Sequence, residues 1–476
     1  MPFLTNSYTE NQTMLENAIG FGKCFDCKKR ELTVGGKKAM LYFISTLSSD
    51  ALLGDLVSRY QSLPNLSDAL TVPMLFARLV PYGDAVAETD IDTLSRMILA
   101  GASVLLLENL NTAVITDTRS LPSRSAEEPD NDRVLYGARD GFTEILKNNV
   151  ALLRRRIRSN TLVIYRITVG SVSKTDIALC YDESLADPAY VENIKQKLES
   201  IQVDALTVGP QSLAECLIKR RWFNIFPKFR YTERPDTASA TLLEGNLIIL
   251  CDTAPQVMLL PTSIFDFTQE SDDYYFPPLI GTYQRFVRML IFFVTLFFAP
   301  FWYLLVTHPS LIPSWLEFIR VDGKPALPIF FQILIVELLL DGLRLASLNT
   351  PSTLGSSLSV VAGLILGDFA VDVGWFIPEV ILYMAFVAIS NFSQPSFELG
   401  YAFKFMRIML LIMVGFFGIV GFVVGTVLII VIVASNKSVD GSRSYLYPLF
   451  PFNGKALLRH LFRFKLNPGN QKKTKK

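Results

Sequence analysis

The run Met289-Leu-Ile-Phe-Phe-Val-Thr-Leu-Phe-Phe-Ala-Pro-Phe-Trp-Tyr-Leu-Leu-Val-Thr307 contains no charged residue. At 1.5 Å per helical residue, about twenty such residues cross a hydrocarbon core of about 30 Å. Working outward from it, four further apolar windows follow at residues 327–345, 358–376, 377–392 and 408–434. The chain therefore divides into a polar part up to about Pro278 and a mostly apolar part, 279–435, followed by a basic tail at 436–476. The fold class this predicts is a multipass α-helical membrane protein with an N-terminal cytoplasmic α/β region of two small domains.

Composition agrees. Half of the 476 residues are hydrophobic and mean hydropathy is +0.34, yet 19% are charged, so the charges must concentrate outside the apolar windows. The N-terminus, residues 1–17, is polar and lacks the apolar stretch of a secretory signal. Arg285 and Arg288 precede the first window, Lys404 and Arg407 precede the last, and residues 455–476 are basic. The positive-inside rule places all three on the cytoplasmic side. Five full crossings would leave the two ends on opposite sides, so one window, or a fused pair, is expected to enter without crossing.

Within the polar part, periodicity predicts helices at residues 11–21 and 51–61 and strands at 39–45, 102–107 and 112–116, giving a first domain at 1–119. Residues 120–132, rich in Pro, Ser and acids, read as a linker. A second domain at 133–278 should hold helices at 142–157, 189–200 and 212–219 and strands at 162–169, 175–181 and 246–252. Strands alternating with helices suit α/β order.

Chemistry is sparse. Cys24-Phe25-Asp26-Cys27 has the spacing of half a zinc site, but no second Cys/His pair completes four ligands, and His308 and His460 are far apart in sequence. No metal, no cofactor and no catalytic constellation is expected: a Walker loop, a Gly-x-Ser-x-Gly elbow and an acid pair with a companion histidine are all missing from the sequence. The basic run Arg154-Arg155-Arg156-Ile157-Arg158 closes a predicted helix, where cations face the C-terminal carbonyls, and it lacks the interleaved aromatics of a single-strand binder. Nucleic acid is not an expected partner.

The ionisable residues Glu337, Asp341, Arg344, Asp368 and Asp372 lie in or beside apolar windows, where a charge facing lipid costs several kcal/mol. Glu337, Asp341 and Arg344 share a helix face, which suits either a cluster that holds helices together or a functional one. In the third window Ser356, Ser359, Gly363 and Gly367 form a slim face. Such a face serves close helix packing. Alternatively it lines a pore, with Val360 or Leu364 as an apolar constriction and Asp368 as an acidic ring favouring cations.

Larger patterns carry a resemblance. The series Arg139-Asp140-Gly141-Phe142, Asn149, Arg154-Arg155-Arg156, Ser173-Lys174-Thr175, Phe226-Pro227, Thr232-Glu233-Arg234-Pro235-Asp236, Asp272-Asp273-Tyr274-Tyr275 and Tyr445-Leu446-Tyr447-Pro448 resembles the A subunits of spore germination receptors, over residues 131–453. Asp341-Gly342-Leu343-Arg344-Leu345-Ala346 and Asp368-Phe369-Ala370-Val371-Asp372 depart from the stretches usual in the nutrient receptors and resemble another branch of the family. The resemblance implies a spore inner-membrane protein assembled as a ring-shaped, pentameric ion channel that releases ions from the spore core. It also implies a small membrane partner, contact with membrane lipid and other germination proteins. The alternative it leaves open is a nutrient-sensing receptor A subunit acting with B and C subunits.

Overall fold

The computed structural model describes residues 3–63, 85–120, 137–218, 225–270, 272–321, 325–349, 370–439, 441 and 444–464. The expected linker beyond Ser120, the slim face from Ser356 to Asp368 and the end of the tail lie outside them. The chain divides into two compact units: Met1–Arg220 with Phe229–Pro261, and Arg221–Lys228 with Thr262–Lys476.

The first unit takes in the predicted first domain and the predicted second domain as far as Pro261, while residues 221–228 and 262–278 of the latter fall in the second unit. In sequence order its elements are α1 (Tyr8–Ile19), β1 (Cys27–Val34), β2 (Lys37–Ile44), α2 (Asp50–Gln61), β3 (Ala85–Glu88), α3 (Ile91–Leu99), β4 (Ser103–Leu107) and β5 (Ala113–Thr116). Then follow α4 (Leu146–Arg156), β6 (Leu162–Val169), β7 (Thr175–Asp182), α5 (Pro188–Glu199), α6 (Pro210–Leu217), β8 (Arg230–Thr232), α7 (Pro235–Leu243), β9 (Leu247–Cys251) and β10 (Val257–Leu260).

The strands build two five-stranded sheets, ordered β1-β2-β4-β5-β3 and β6-β7-β9-β10-β8, and every described pair is antiparallel. The alternation that suggested α/β order is thus realised without parallel crossovers among the described strands. Side chains of a strand alternate between faces, and both faces of the first sheet are covered. Met40, Tyr42 and Ile44 meet α1 and α3, while Ala39 and Leu41 meet α2. Coverage on both sides explains why β4, Ser-Val-Leu-Leu-Leu, is buried throughout.

The two halves repeat one plan. Each opens with a helix and a hairpin, places its third strand at an outer edge, and closes with a helix and a second hairpin. The repeat extends to one side chain. Asn11 accepts from Thr5 N (2.8 Å) and donates to Thr5 O (2.7 Å), and Asn149 likewise accepts from Thr143 N (2.7 Å) and donates to Thr143 O. Both asparagines are buried and each fastens the chain entering the first helix of its half.

The halves are joined by an ion pair. Arg154 in α4 forks onto Asp26 in the turn before β1, with Nε–Oδ2 2.7 Å and Nη2–Oδ1 2.8 Å. Both side chains are buried, and Thr46 Oγ1 donates to Asp26 at 3.0 Å. Burial alone would lower the Arg154 pKa, but the carboxylate beside it reverses the sign and raises it. The basic run therefore splits: Arg154 is interior, Arg156 pairs with Asp140, and Arg155 and Arg158 are exposed. All five cysteines are free thiols, and burial, with Asp26 adding, pushes Cys27 up to about 12.

The second unit is helical: α8 (Asp272–Tyr275), α9 (Pro278–Thr307), α10 (Ile329–Asn349), α11 (Ala370–Asp372), α12 (Pro378–Phe392), α13 (Phe397–Ser435) and α14 (Gly454–Leu461). Among the described residues, α9 and, counted end to end, α13 are long and apolar enough to cross a membrane. The apolar window read from the sequence at residues 408–434 is not one continuous helix, because α13 breaks at Gly418, whose φ is +58° and ψ −129°. A methyl on Gly421 would fall 1.9 Å from Met413 O, and one on Gly425 would fall 2.6 Å from Leu410 Cδ1. Contacts that run backward as the chain runs forward mean that residues 419–435 return antiparallel along residues 397–417. Glycine suits the reversal because L side chains rarely adopt this φ, and His308 Cε1 lies only 2.9 Å from where a Cβ would sit.

Candidate functional site

Three helices of the second unit converge on four charges. Glu337 and Asp341 lie one turn apart on α10, and Lys404 and Arg407 lie three apart on the first limb of α13. Arg407 grips Glu337 through Nε–Oε1 at 2.6 Å and Nη2–Oε2 at 2.9 Å, and its Nη1 donates to Thr295 O of α9. Lys404 Nζ donates to Glu337 O at 3.0 Å, stands 3.5 Å from Glu337 Oε2 and pairs with Asp341 Oδ2. Thr295 Oγ1 accepts from Gln394 Nε2 at 2.9 Å, which draws the α12–α13 turn into the same network.

Burial decides the character of the site. Glu337, Lys404 and Arg407 have side chains 5%, 8% and 2% exposed, whereas Asp341 retains 35%. Two acids face two bases, so the cluster is neutral, and the forked Arg–carboxylate pair satisfies geometry that a lysine could not. Removing one member of a buried pair typically costs about 3–5 kcal/mol because its partner is stranded. As an interlock, the cluster fixes the rotation of α10 against α13; Asp341 alone has the exposure to meet an ion or water.

This geometry revises the expected partners. Arg344 does not complete the acidic face; its guanidinium stands over the rings of Phe397, Tyr401 and Phe392 at 4.7, 4.8 and 5.8 Å. Its helix position puts it beside aromatics that offer a cation–π seat. Asp372, at the end of α11, is exposed and takes no part in the cluster. Lys404 and Arg407, read from the sequence as flanking cytoplasmic charges, are instead the interior counter-ions. Arg285 and Arg288 are likewise buried on Asp273, with Arg288 Nη1–Oδ2 at 2.8 Å and Arg285 Nε–Oδ2 at 3.3 Å.

The missed signal was spacing. Lys404 and Arg407 follow the mostly apolar run Leu399–Phe403, two turns into a helix that begins at Phe397, and share a helix face, so they sit inside the helix and not ahead of it. Gln332, also buried, donates to Leu327 O at 2.7 Å and accepts from Ile377 N at 3.0 Å, tying the start of α10 to the start of α12. Among the described residues, no group of three or more His, Cys, Asp or Glu could hold a metal ion.

Comparison with known proteins gives these features a context. Stage V sporulation protein AF of Bacillus subtilis is 38% identical over 457 residues, 95% of this chain and 92% of that protein. The uncharacterized membrane protein YfkQ of the same organism is 31% identical over 346 residues, 72% of this chain and 67% of that protein. The crystal structure of the N-terminal domain of the A subunit of the Bacillus megaterium spore germinant receptor GerK3 aligns with 54% of this chain and 96% of its own, at 22% identity and a TM-score of 0.42. The family model of Bacillus/Clostridium GerA spore germination proteins matches residues 14–475, so the chain belongs to the GerA spore germination protein family.

Proposed function

We propose that this spore germination protein is a multipass membrane subunit that assembles with copies of itself into an ion-conducting channel of the spore inner membrane. The observation that carries the reading is the four-charge cluster of Glu337, Asp341, Lys404 and Arg407 enclosed among apolar helices. Charges at that depth usually face a bundle interior or a water-filled path rather than lipid. The outer surface supports it: Phe416, Phe417, Val420 and Ile430 are 77%, 66%, 65% and 57% exposed, an apolar surface suited to hydrocarbon or to another copy.

In this proposal the segment from Ser356 to Asp368 lines the path, Val360 or Leu364 narrows it and Asp368 selects cations. Ser359, Gly363 and Gly367 let neighbouring copies approach. The sheet-bearing N-terminal region and the tail stay cytoplasmic, and the partners are a small membrane protein and other germination proteins. The proposed role is conduction and not catalysis.

The nutrient-sensing reading, with B and C subunits, remains the second choice because residues 341–346 and 368–372 depart from the receptor pattern. Purified full-length protein in liposomes tests conduction: monovalent cation efflux above that of empty liposomes, with cation preference reduced by Asp368→Asn, is expected. Efflux no greater than from empty liposomes rejects the channel.

A further inference from the structure

The C-terminal segment, residues 449–464, presents apolar side chains outward although it follows the last long helix. Phe450, Phe452 and Phe464 are 70%, 75% and 61% exposed. Among the described side chains of α14 the exposed ones are Lys455, Leu458 and, at its C-cap, Phe462, which recur at three- and four-residue spacing and therefore share one face. The opposite face carries His460, whose ring meets Gln269 and lies 6.0 Å from that of Phe265.

The helix is held at a defined height. Arg285 Nη1 donates to the carbonyls of His460 and Phe462 at 3.2 and 3.4 Å, a cation satisfying the C-terminal end of α14. Arg463 N donates to Thr282 Oγ1 at 3.1 Å, and the rings of Phe286 and Phe462 meet edge-on at 5.6 Å. These contacts fix α14 beside the first turns of α9, where Leu279, Tyr283, Phe286 and Leu290 form an exposed stripe. Residues 454–476 contain eight Lys or Arg and no Asp or Glu.

We infer that the outward face of residues 449–464, together with the first turns of α9, is an interfacial anchor that lies on an anionic phospholipid surface. Aromatic and aliphatic side chains enter the headgroup–acyl boundary, as on helices that lie in the membrane plane, and the cations meet lipid phosphates. Charge complementarity selects lipid over an apolar protein partner: the apolar face is bordered by Lys455 and continues into a sequence whose charged residues are all basic. The anchor rests on the membrane reading of α9, and would hold the end of the chain at the depth where that helix enters.

The test uses full-length protein with Cys216→Ser, carrying an environment-sensitive label at Leu458→Cys and, separately, a reference label at Phe293→Cys on the exposed side of α9. Each is reconstituted in phosphatidylcholine vesicles with or without phosphatidylglycerol. The expected result is that the 458 label is quenched by lipid spin-labelled near its headgroup and shielded from aqueous acrylamide, more strongly with phosphatidylglycerol. Lys455→Gln should reduce the shielded population about fivefold, the effect of roughly one surface cation. A 458 label reached by acrylamide while the 293 label is lipid-quenched overturns the anchor and leaves the membrane reading standing. Acrylamide access at both positions overturns both. Shielding at 458 from both quenchers assigns the face to a protein and also overturns the anchor.

Discussion

Both units of the molecule bury a forked arginine–carboxylate pair, yet the two pairs sit in different company. Arg154 and Asp26 fasten two halves of the sheet region and are closed off by Thr46, with no further ion in contact among the described residues. Arg407 and Glu337 fasten α10 to α13 but extend through Lys404 to Asp341, which keeps about a third of its surface open. The first arrangement is complete as a clamp. The second leaves one carboxylate able to answer to something outside it, which is why the helical pair and not the sheet pair is the candidate site.

The largest expected effect comes from Glu337→Gln, which strands two buried cations against Asp341 alone. A loss toward the upper end of about 3–5 kcal/mol, or failure to assemble, should appear in thermal unfolding of purified protein. Arg154→Leu should cost about 3–5 kcal/mol by stranding Asp26, and the double change Asp26→Leu with Arg154→Leu should recover much of it, since a packed apolar pair replaces a buried ionic one at little net cost. If the double variant is no more stable than Arg154→Leu, the pair is not the unit that joins the halves.

The repeated asparagines sharpen the comparison inside the sheet region. Asn11→Ala and Asn149→Ala should each cost about 1–3 kcal/mol through the stranded backbone groups of Thr5 and Thr143, and by similar amounts. Gly418→Ala probes the helical region alone: placing a side chain at φ +58° should cost about 1–2 kcal/mol, plus whatever the clash with His308 adds. Limited change in the melting of that variant would argue that residues 397–435 form a straight rod.

The smallest effect concerns pH. Burial lowers the His460 pKa, while Asp266 opposes and Arg285 adds to the lowering. The folded state therefore prefers the neutral ring. The resulting stability is present above the unfolded value of about 6.5 and is lost as pH falls from there toward the lower folded pKa. Docking of α14, read by a label at Leu458→Cys, should weaken over that acidic range in the wild-type ring and not in His460→Asn.

Legibility in the sequence followed the kind of pattern. Strands such as β2, β4, β6 and β9 were readable because apolar residues run together or alternate. β1, Cys-Lys-Lys-Arg-Glu-Leu-Thr-Val, was not, because an edge strand with four successive exposed residues looks like a solvated loop. β8, with three residues, is too short for any period. The duplication of the two halves was invisible because it lives in strand order and in Asn11 and Asn149, not in repeated sequence. In the helical region the acids Glu337 and Asp341 announced themselves as costly. Their partners did not, since helix spacing favoured Arg344 on the same helix and only the packing of α13 brought Lys404 and Arg407 across.

The central claim is conduction along the segment that holds Val360 and Asp368, and ion flux through liposomes containing full-length protein tests it most directly. Wild-type protein should pass cations under control of an apolar constriction. Val360→Ala or Leu364→Ala should leak faster, because a shorter side chain holds water out less well. Gly363→Leu should instead break assembly, as a close-packed face requires. Flux and selectivity that stay unchanged in every correctly assembled variant would contradict the account.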